Sequence, residues 1–247
     1  MGVQIWVPRP GSRADFMSVP VPVPAAEIAP SPAMTPVPAT APDSMKAPAP
    51  FRSVPAGELS SAAAAWAELR AEVAACTRCV LHQTRIQTVF GTGSPNARWL
   101  VIGEAPGADE DRDGEPFVGR AGQLLTEMLR AIGLSREQVF IANILKCRPP
   151  ENRDPKPDEA KSCENYLQRQ IDLIQPGLIL AVGRIAAQHL LQVDTPIGKL
   201  RGQAHEFGPT RIPVVVTYHP AYLLRSPGQK ARSWDDLCLA RSIVAPV

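Results

Sequence analysis

The sequence predicts an α/β fold with three layers (αβα), in which a parallel sheet of roughly four strands has helices on both faces. Two observations indicate this fold. Four short apolar runs have the length and composition of buried parallel strands. Stretches with apolar residues at helical spacing alternate with these runs along the chain. Because a helix between two strands returns the chain to the same end of the sheet, this alternation favours parallel pairing.

The four apolar runs supply the predicted strands. They are rich in valine, isoleucine and leucine, which suits strands that are buried on both faces. The runs are RWLVIG (98–103), VFIANILK (139–146), GLILAVG (177–183) and IPVVVTYHP (212–220).

Helices are predicted before, between and after these strands. The helical segments are 57–76, 122–134, about 158–174, 184–191 and 228–244. Ser60 or Ser61 can cap the first helix, and Gly133 suits the end of the second. Cys238 lies between two leucines of the last helix, where we expect a buried thiol.

The composition divides the chain into a tail and one domain. Residues 1–55 hold 13 of the 27 prolines and little that could form a core. Such a segment cannot bury enough apolar area to order itself, so we predict a disordered tail that its prolines make semi-rigid. It would serve as a tether or as a peptide that binds a protein partner. Residues 56–247 are long enough for one domain with its own core.

Charge and hydropathy limit the partners and the cellular location expected for the protein. A formal charge of +2 gives no global basic field, so a contact with nucleic acid must come from a local patch. No apolar run approaches the length of a membrane span, and the first residues lack the apolar core of a signal peptide. We therefore expect a cytoplasmic monomer that does not bind membranes.

Four of the five cysteines form two pairs. Cys76 and Cys79 make a C-x-x-C motif before the first strand, and Cys147 and Cys163 follow the second strand. In a reducing compartment these thiols are expected to act as ligands rather than as disulfides. Converging thiolates hold either a metal such as zinc or an iron–sulfur cluster. A zinc ribbon usually has two close C-x-x-C pairs, so the wide second pair favours a cluster.

Three polar residues lie where three of the predicted strands end. Glu104 follows the first strand, Asn143 lies near the end of the second and His219 near the end of the fourth. Parallel α/β sheets bind ligands beyond the carboxyl ends of their strands. Each residue alone has a simpler explanation, such as a core amide or a turn histidine. Together they predict a shared site with a carboxylate, an amide and an imidazole.

A long acidic loop follows the first strand. Its carboxylates suit a solvated loop better than a metal site: Asp109, Glu110, Asp111, Asp113 and Glu115. Phe117 lies in this polar stretch, either as a small satellite core or as a platform on which a base stacks. GRAG (119–122) then begins a helix whose free N–H groups can meet a phosphate.

Several of these segments resemble family four of the uracil-DNA glycosylases, the iron–sulfur type of bacteria and archaea. The segments are GEAPGADED, PFVGRAGQLL, NILKCRPP and HPAYLLR, in this order. The resemblance runs from about Cys76 to the end of the chain and leaves the tail outside. It implies an enzyme that acts on uracil-containing DNA, flips the base out, hydrolyses its N-glycosidic bond and so starts base-excision repair.

The resemblance also implies a role for each site residue. Phe117 would stack on the flipped uracil, Asn143 would bind its Watson–Crick edge and His219 would face O2. Glu104 and the backbone N–H of Ala105 would lie against the base and the attacking water. A [4Fe–4S] cluster would be held by Cys76, Cys79, Cys147 and Cys163.

The segment HPAYLLRSPGQKAR (219–232) is interpreted as the part that engages DNA. Leu223 and Leu224 would wedge into the stack that the flipped base leaves, although core packing explains them almost equally well. Arg225 and Lys230 would contact phosphates. The loop after the second strand is short and has no histidine, so covalent capture of uracil, which occurs in some related enzymes, is not expected.

Two other functions stay open on the sequence. One is a non-catalytic module of the same fold that is associated with a DNA polymerase. The other is a zinc-stabilised α/β domain of different function. The presence of Glu104, Phe117, Asn143 and His219 favours the enzyme.

Overall fold

The computed structural model of the protein describes residues 56–244, with side chains from residue 62 onward. The tail predicted for residues 1–55 lies outside the described residues. In the part that is described, none of the helices combines the length and the apolar character needed to cross a membrane.

One six-stranded sheet forms the centre of the described domain. Its strands are β1 (Thr92–Gly93), β2 (Trp99–Gly103), β3 (Phe140–Asn143), β4 (Leu178–Val182), β5 (Ala204–Phe207) and β6 (Ile212–Thr217). Across the sheet they follow the order β1-β3-β2-β4-β6-β5. The four central strands are parallel, which confirms the predicted fold class.

The two edge strands pair antiparallel with their neighbours and were not predicted. β1 is two residues long, and β5 reads AHEF with alternating exposed and half-buried residues. Neither segment contains the apolar run by which a buried strand is recognised.

Eight α-helices surround the sheet within the described residues. They are α1 (Ala56–Ala74), α2 (Ala108–Asp113), α3 (Arg120–Ala131), α4 (Pro157–Ile174), α5 (Arg184–Leu191), α6 (Ile197–Leu200), α7 (Pro220–Arg225) and α8 (Lys230–Ile243). α1 begins before Ser60 and Ser61, so neither residue is its cap. α3 ends as predicted, because Gly133 adopts a positive φ of 84° there.

The core has two layers because alternate residues of each strand face opposite sides of the sheet. Leu100 and Ile102 of β2 pack with residues of α1, α4 and α5. Trp99 and Val101 pack with residues of α3, α7 and α8 on the other side. Because the four central strands are parallel, their carboxyl ends lie at the same end of the sheet.

Cys238 is exposed on α8, so the expectation of a buried thiol was wrong. The helix buries the residues that recur at its period: Ser233, Asp236, Leu237 and Ala240. Cys238 lies outside this stripe, and two flanking leucines were a poor guide because helical neighbours point in different directions.

Candidate active site

A cavity of about 480 Å³ opens at the carboxyl end of the parallel strands. It is lined by all the residues predicted to contact the base: Glu104, Ala105, Phe117, Asn143 and His219. The sequence placed these residues at the ends of separate strands and in one loop. The structure brings them together around one space.

Asn143 and Phe117 converge over Gly103, the last residue of β2. Asn143 is opposite Gly103 in the parallel register, is 2% exposed, and its Oδ1 has no hydrogen-bond partner in the described part of the chain. A Cβ atom on Gly103 would lie 2.5 Å from this Oδ1 and 2.6 Å from Cζ of Phe117. Glycine therefore permits the close approach of amide and ring. A buried amide oxygen without a partner is costly, so it indicates a polar ligand.

The backbone of Asn143 is held by a hydrogen bond from Lys146, a residue that was not predicted to take part in the site. Lys146 is 1% exposed, and its ammonium donates to the backbone oxygen of Asn143 at 2.8 Å and to Oε1 of Gln170 at 2.7 Å. The backbone N–H of Leu145 also donates to the backbone oxygen of Glu104 at 3.1 Å. These bonds hold the amide and the carboxylate side by side. A lone lysine in the apolar run VFIANILK was the only signal available in the sequence.

His219 caps α7, and this contact sets its tautomer. The backbone N–H of Ala221 donates to Nδ1 of His219 at 3.2 Å, so the imidazole proton resides on Nε2. Burial, reinforced by Arg225, lowers the pKa of His219 to about 4, which keeps the ring neutral at physiological pH. The ring also stacks on Phe117, with centroids 5.6 Å apart. His219 is thus a neutral hydrogen-bond donor at the cavity wall.

Glu104 carries an unusual carboxyl group for a surface cavity. Burial raises its pKa to about 7, the nearby charge of Asp154 adds to this rise and Arg184 opposes it. Asp154 comes from the loop after β3 and is paired with Arg184 at 2.7 Å. A carboxyl group with a pKa near the working pH is suited to act as a base on water. Asp154 was not predicted as a site residue, because a charged residue in a proline-rich loop gives no distinctive pattern.

The acidic loop after β2 contains α2, and two of its carboxylates bind the backbone. Asp111 is 1% exposed and accepts from the N–H groups of Ile86 and Gln87. Glu110 accepts from three backbone N–H groups, one at the start of α2 and two directly after Phe117. Asp109 and Asp113 pair with an arginine at the surface. The loop is therefore only partly the solvated segment expected from its composition.

A second, smaller cavity is lined by cysteines. The residues are Cys76, Cys79, Cys147 and Cys163. They come from the segment after α1, the loop after β3 and α4, so the structure brings both predicted pairs together. Cys147 and Cys163 are buried, whereas the first pair is half-buried.

The donor set of this cavity fits an iron–sulfur cluster. Among the side chains of residues 62–244, no three His, Cys, Asp or Glu are grouped so that they could hold one metal ion. Four thiols from three segments line this one cavity, and four cysteines are the usual ligand set of an iron–sulfur cluster. Burial raises the pKa of Cys163 to about 11, and Arg85 donates to Sγ of Cys147 at 3.0 Å. Arg85 and the buried Lys146 give the positive surroundings that a cluster of thiolates needs.

The segment after β6 is divided between core and surface. Leu223 is 1% exposed and packs in the core between α7 and its neighbours, so its prediction as a wedge was wrong. Leu224 is 36% exposed and stays available. Arg225 is exposed and lines the active-site cavity, and Lys230 is exposed at the start of α8.

Fold and site define an α/β protein with a polar cavity at the carboxyl end of a parallel sheet and a second cavity that is lined by four cysteines. Residues 90–239 match the family model of the uracil DNA glycosylase superfamily. The chain is similar to the type-4 uracil-DNA glycosylase of Archaeoglobus fulgidus, at 47% identity over 163 residues, 63% of this chain and 81% of that protein. It is also similar to that of Thermotoga maritima, at 42% over 173 residues, 68% of this chain and 89% of that protein. The chain belongs to the uracil-DNA glycosylase superfamily and, within it, to the type-4 family.

A DNA polymerase of Bacillus phage SP01 is a more distant relative. It is 34% identical over 156 residues, which are 62% of this chain but 16% of that polymerase. The shared segment is thus a small part of the polymerase and most of each type-4 enzyme.

Proposed function

We propose that this protein removes uracil from DNA by flipping the base into the cavity and hydrolysing the N1–C1′ bond, which starts base-excision repair. The observation that carries this function is the buried amide of Asn143, whose Oδ1 is unpaired at the wall of the cavity. An amide can accept from N3–H of uracil and donate to O4, whereas cytosine presents the opposite pattern. Membership of the type-4 family supports the same substrate.

Phe117 and His219 have different roles: Phe117 holds the flipped base, and His219 assists its release. The ring of Phe117 offers an apolar surface for stacking, which repays part of the cost of unstacking the base from DNA. Cleavage leaves negative charge on uracil O2. Nε2–H of the neutral His219 and the N–H of Ala105 are the donors proposed to stabilise that charge.

Glu104 acts on the water and on the sugar. Its carboxylate orients the water for attack at C1′ and offsets the positive charge that develops on the deoxyribose. Because its pKa is about 7, the base form and the acid form are both present near neutral pH. The attacking water can therefore pass its proton to this group without a large energetic penalty.

We also propose that the four-cysteine cavity holds a [4Fe–4S] cluster through Cys76, Cys79, Cys147 and Cys163. A bound cluster would supply a covalent tie between the segment after α1, the loop after β3 and α4. That loop contains Asp154, which lines the active-site cavity. The cysteine centre would thereby order one wall of the active site.

Replacing Asn143 by alanine is expected to lower uracil excision more than DNA binding. One bidentate base contact contributes roughly 1–3 kcal/mol, or about 5- to 150-fold in rate. The measurement is single-turnover excision from a duplex with one uracil, next to the affinity for the same duplex with an abasic site. Asn96→Ala, at an exposed turn before β2, is the control. Wild-type excision by Asn143→Ala would show that the base does not bind at this amide.

Replacing Arg225 or Lys230 by alanine is expected to weaken binding to all DNA sequences equally. Each change should flatten the dependence of the logarithm of affinity on the logarithm of salt concentration by about one phosphate. The measurement is a salt titration of binding to abasic-site DNA. Arg211→Ala is the control, since Arg211 is paired with Glu206 on the β5–β6 hairpin. An unchanged salt slope in both variants would place the phosphate contacts elsewhere.

A non-catalytic module associated with a polymerase is not favoured. Such a module would have no need of an unpaired amide, a neutral imidazole donor and a carboxyl group with a pKa of about 7 in one cavity. Release of free uracil by the purified wild-type protein distinguishes the two functions directly.

A further inference from the structure

Phe117 has a backbone conformation that an aromatic residue rarely adopts. Its φ is +55°, in the left-handed region that favours glycine. Such a conformation costs free energy and persists only where the surrounding structure holds it. The position lies at the active-site cavity, where the ring approaches Asn143 over Gly103.

We propose that Arg136 is a positioning residue that holds Phe117 in this conformation, and through it sets the stacking surface for the base. The proposal rests on the function proposed above. Arg136 is half-buried in the turn before β3 and is not among the residues that line the active-site cavity. Arg136 therefore does not contact the base directly, and we expect its effect on excision to pass through Phe117.

The guanidinium of Arg136 binds the backbone on the carbonyl side of Phe117. Nη2 donates to the oxygen of Pro116 at 2.8 Å, and Nη1 donates to the oxygen of Phe117 at 3.2 Å. None of the ion pairs in residues 62–244 includes Arg136. This half-buried cation thus directs its two shortest hydrogen bonds to successive carbonyl groups, which suits the planar fork of arginine, and Nη1 makes a longer contact of 3.5 Å with Oγ1 of Thr126.

Glu110 holds the N–H groups that follow Phe117. Its Oε1 accepts from Val118 N–H at 3.0 Å and from Gly119 N–H at 3.3 Å, and its Oε2 accepts from Gly107 N–H at 3.0 Å. One charged side chain therefore binds the carbonyl groups of the turn and another binds its N–H groups. Together they stabilise the left-handed residue between them.

The backbone of Phe117 also packs closely against the first turn of α3. A Cβ atom on Gly122, in the first turn of α3, would lie 1.7 Å from the backbone oxygen of Phe117. When Arg136 is lost, the carbonyl groups lose their donors and φ of Phe117 can return to negative values. The ring would then leave its position over Gly103, where it meets the amide of Asn143.

The test is a double-mutant cycle between Arg136 and Phe117. Arg136→Gln is expected to lower single-turnover uracil excision about tenfold while the affinity for abasic-site DNA stays the same. In a Phe117→Ala background the same change should cause no further loss. Arg136→Lys, which keeps the charge but not the fork, should fall between wild type and Arg136→Gln. The control is Arg130→Gln on α3, because Arg130 is exposed and pairs with Glu127.

Two results would overturn the proposal. One is an equal loss from Arg136→Gln with and without the Phe117 ring, since Arg136 would then act by another route. The other is a parallel fall in melting temperature and in abasic-site affinity, which would make Arg136 merely structural. A wild-type protein that releases no uracil would instead overturn the proposed function. In that case hydrogen exchange still tests whether Arg136 holds the backbone around Phe117. The amide protons of Val118 and Gly119 should exchange faster in Arg136→Gln, and unchanged exchange rates would reject the proposal.

Discussion

Replacing His219 by alanine is expected to lower the single-turnover rate of uracil excision by roughly 10²–10³, the usual effect of removing one donor to a developing anion. The neutral ring presents Nε2–H because Ala221 N–H occupies Nδ1. Affinity for abasic-site DNA should hardly change, since the partner of His219 has departed from that DNA. His189→Ala is the control, because His189 is also half-buried but lines a different cavity.

The pH profile separates His219 from Glu104. If the ionised form of Glu104 is required, the rate of wild-type excision rises with pH up to about 7 and is level above it. Below that pH the rate should fall about tenfold per pH unit, because the carboxylate fraction falls in that proportion. His219→Ala should lower the plateau and leave the midpoint in place, as the histidine stays neutral above a pKa of about 4. Glu104→Gln should remove the midpoint.

An equal loss of excision and of abasic-site affinity in His219→Ala would contradict the role in leaving-group stabilisation. His219 would then position DNA. A shift of the midpoint of the pH profile in His219→Ala would show that His219, and not Glu104, controls the profile.

The fold and the polar strand ends could be predicted because each depends on a short, local pattern. The central strands are apolar runs, and Glu104, Asn143 and His219 follow from where those runs stop. Their convergence then follows from parallel pairing alone. Short edge strands have no such pattern, because partner strands and not their own composition define them.

The parts that could not be predicted depend on contacts between distant residues. Arg136 meets Phe117 across 19 positions of sequence, and Lys146 meets Gln170 across 24. The sequence shows neither the positive φ of Phe117 nor the buried ammonium of Lys146, since both exist only in the folded chain. Leu223 and Leu224 are adjacent and chemically identical, and only the packing of α7 assigns one to the core and the other to the surface.

The four cysteines give the second large expected effect. Alanine at Cys76, Cys79, Cys147 or Cys163 should remove iron from the purified protein and lower its melting temperature, because thiolate–metal bonding is coupled to folding. Cys147 and Cys163 are buried, so replacing either one also leaves a cavity in the core, which a substitution at an exposed cysteine would not do. Cys238→Ala is the matched control, because its thiol is exposed on α8 and is not part of the cysteine cavity.

Anaerobic purification and iron analysis make this prediction specific for a cluster. The wild type and Cys238→Ala should be brown, with broad sulfur-to-iron charge-transfer absorption, and should contain stoichiometric iron. A colourless protein with one zinc ion would identify a zinc centre instead. Cys163→Ala with full iron and normal stability would remove this residue from the ligand set. The expected loss is large because burial raises the pKa of the Cys163 thiol to about 11, so a bound metal centre would strongly favour its thiolate in the folded chain.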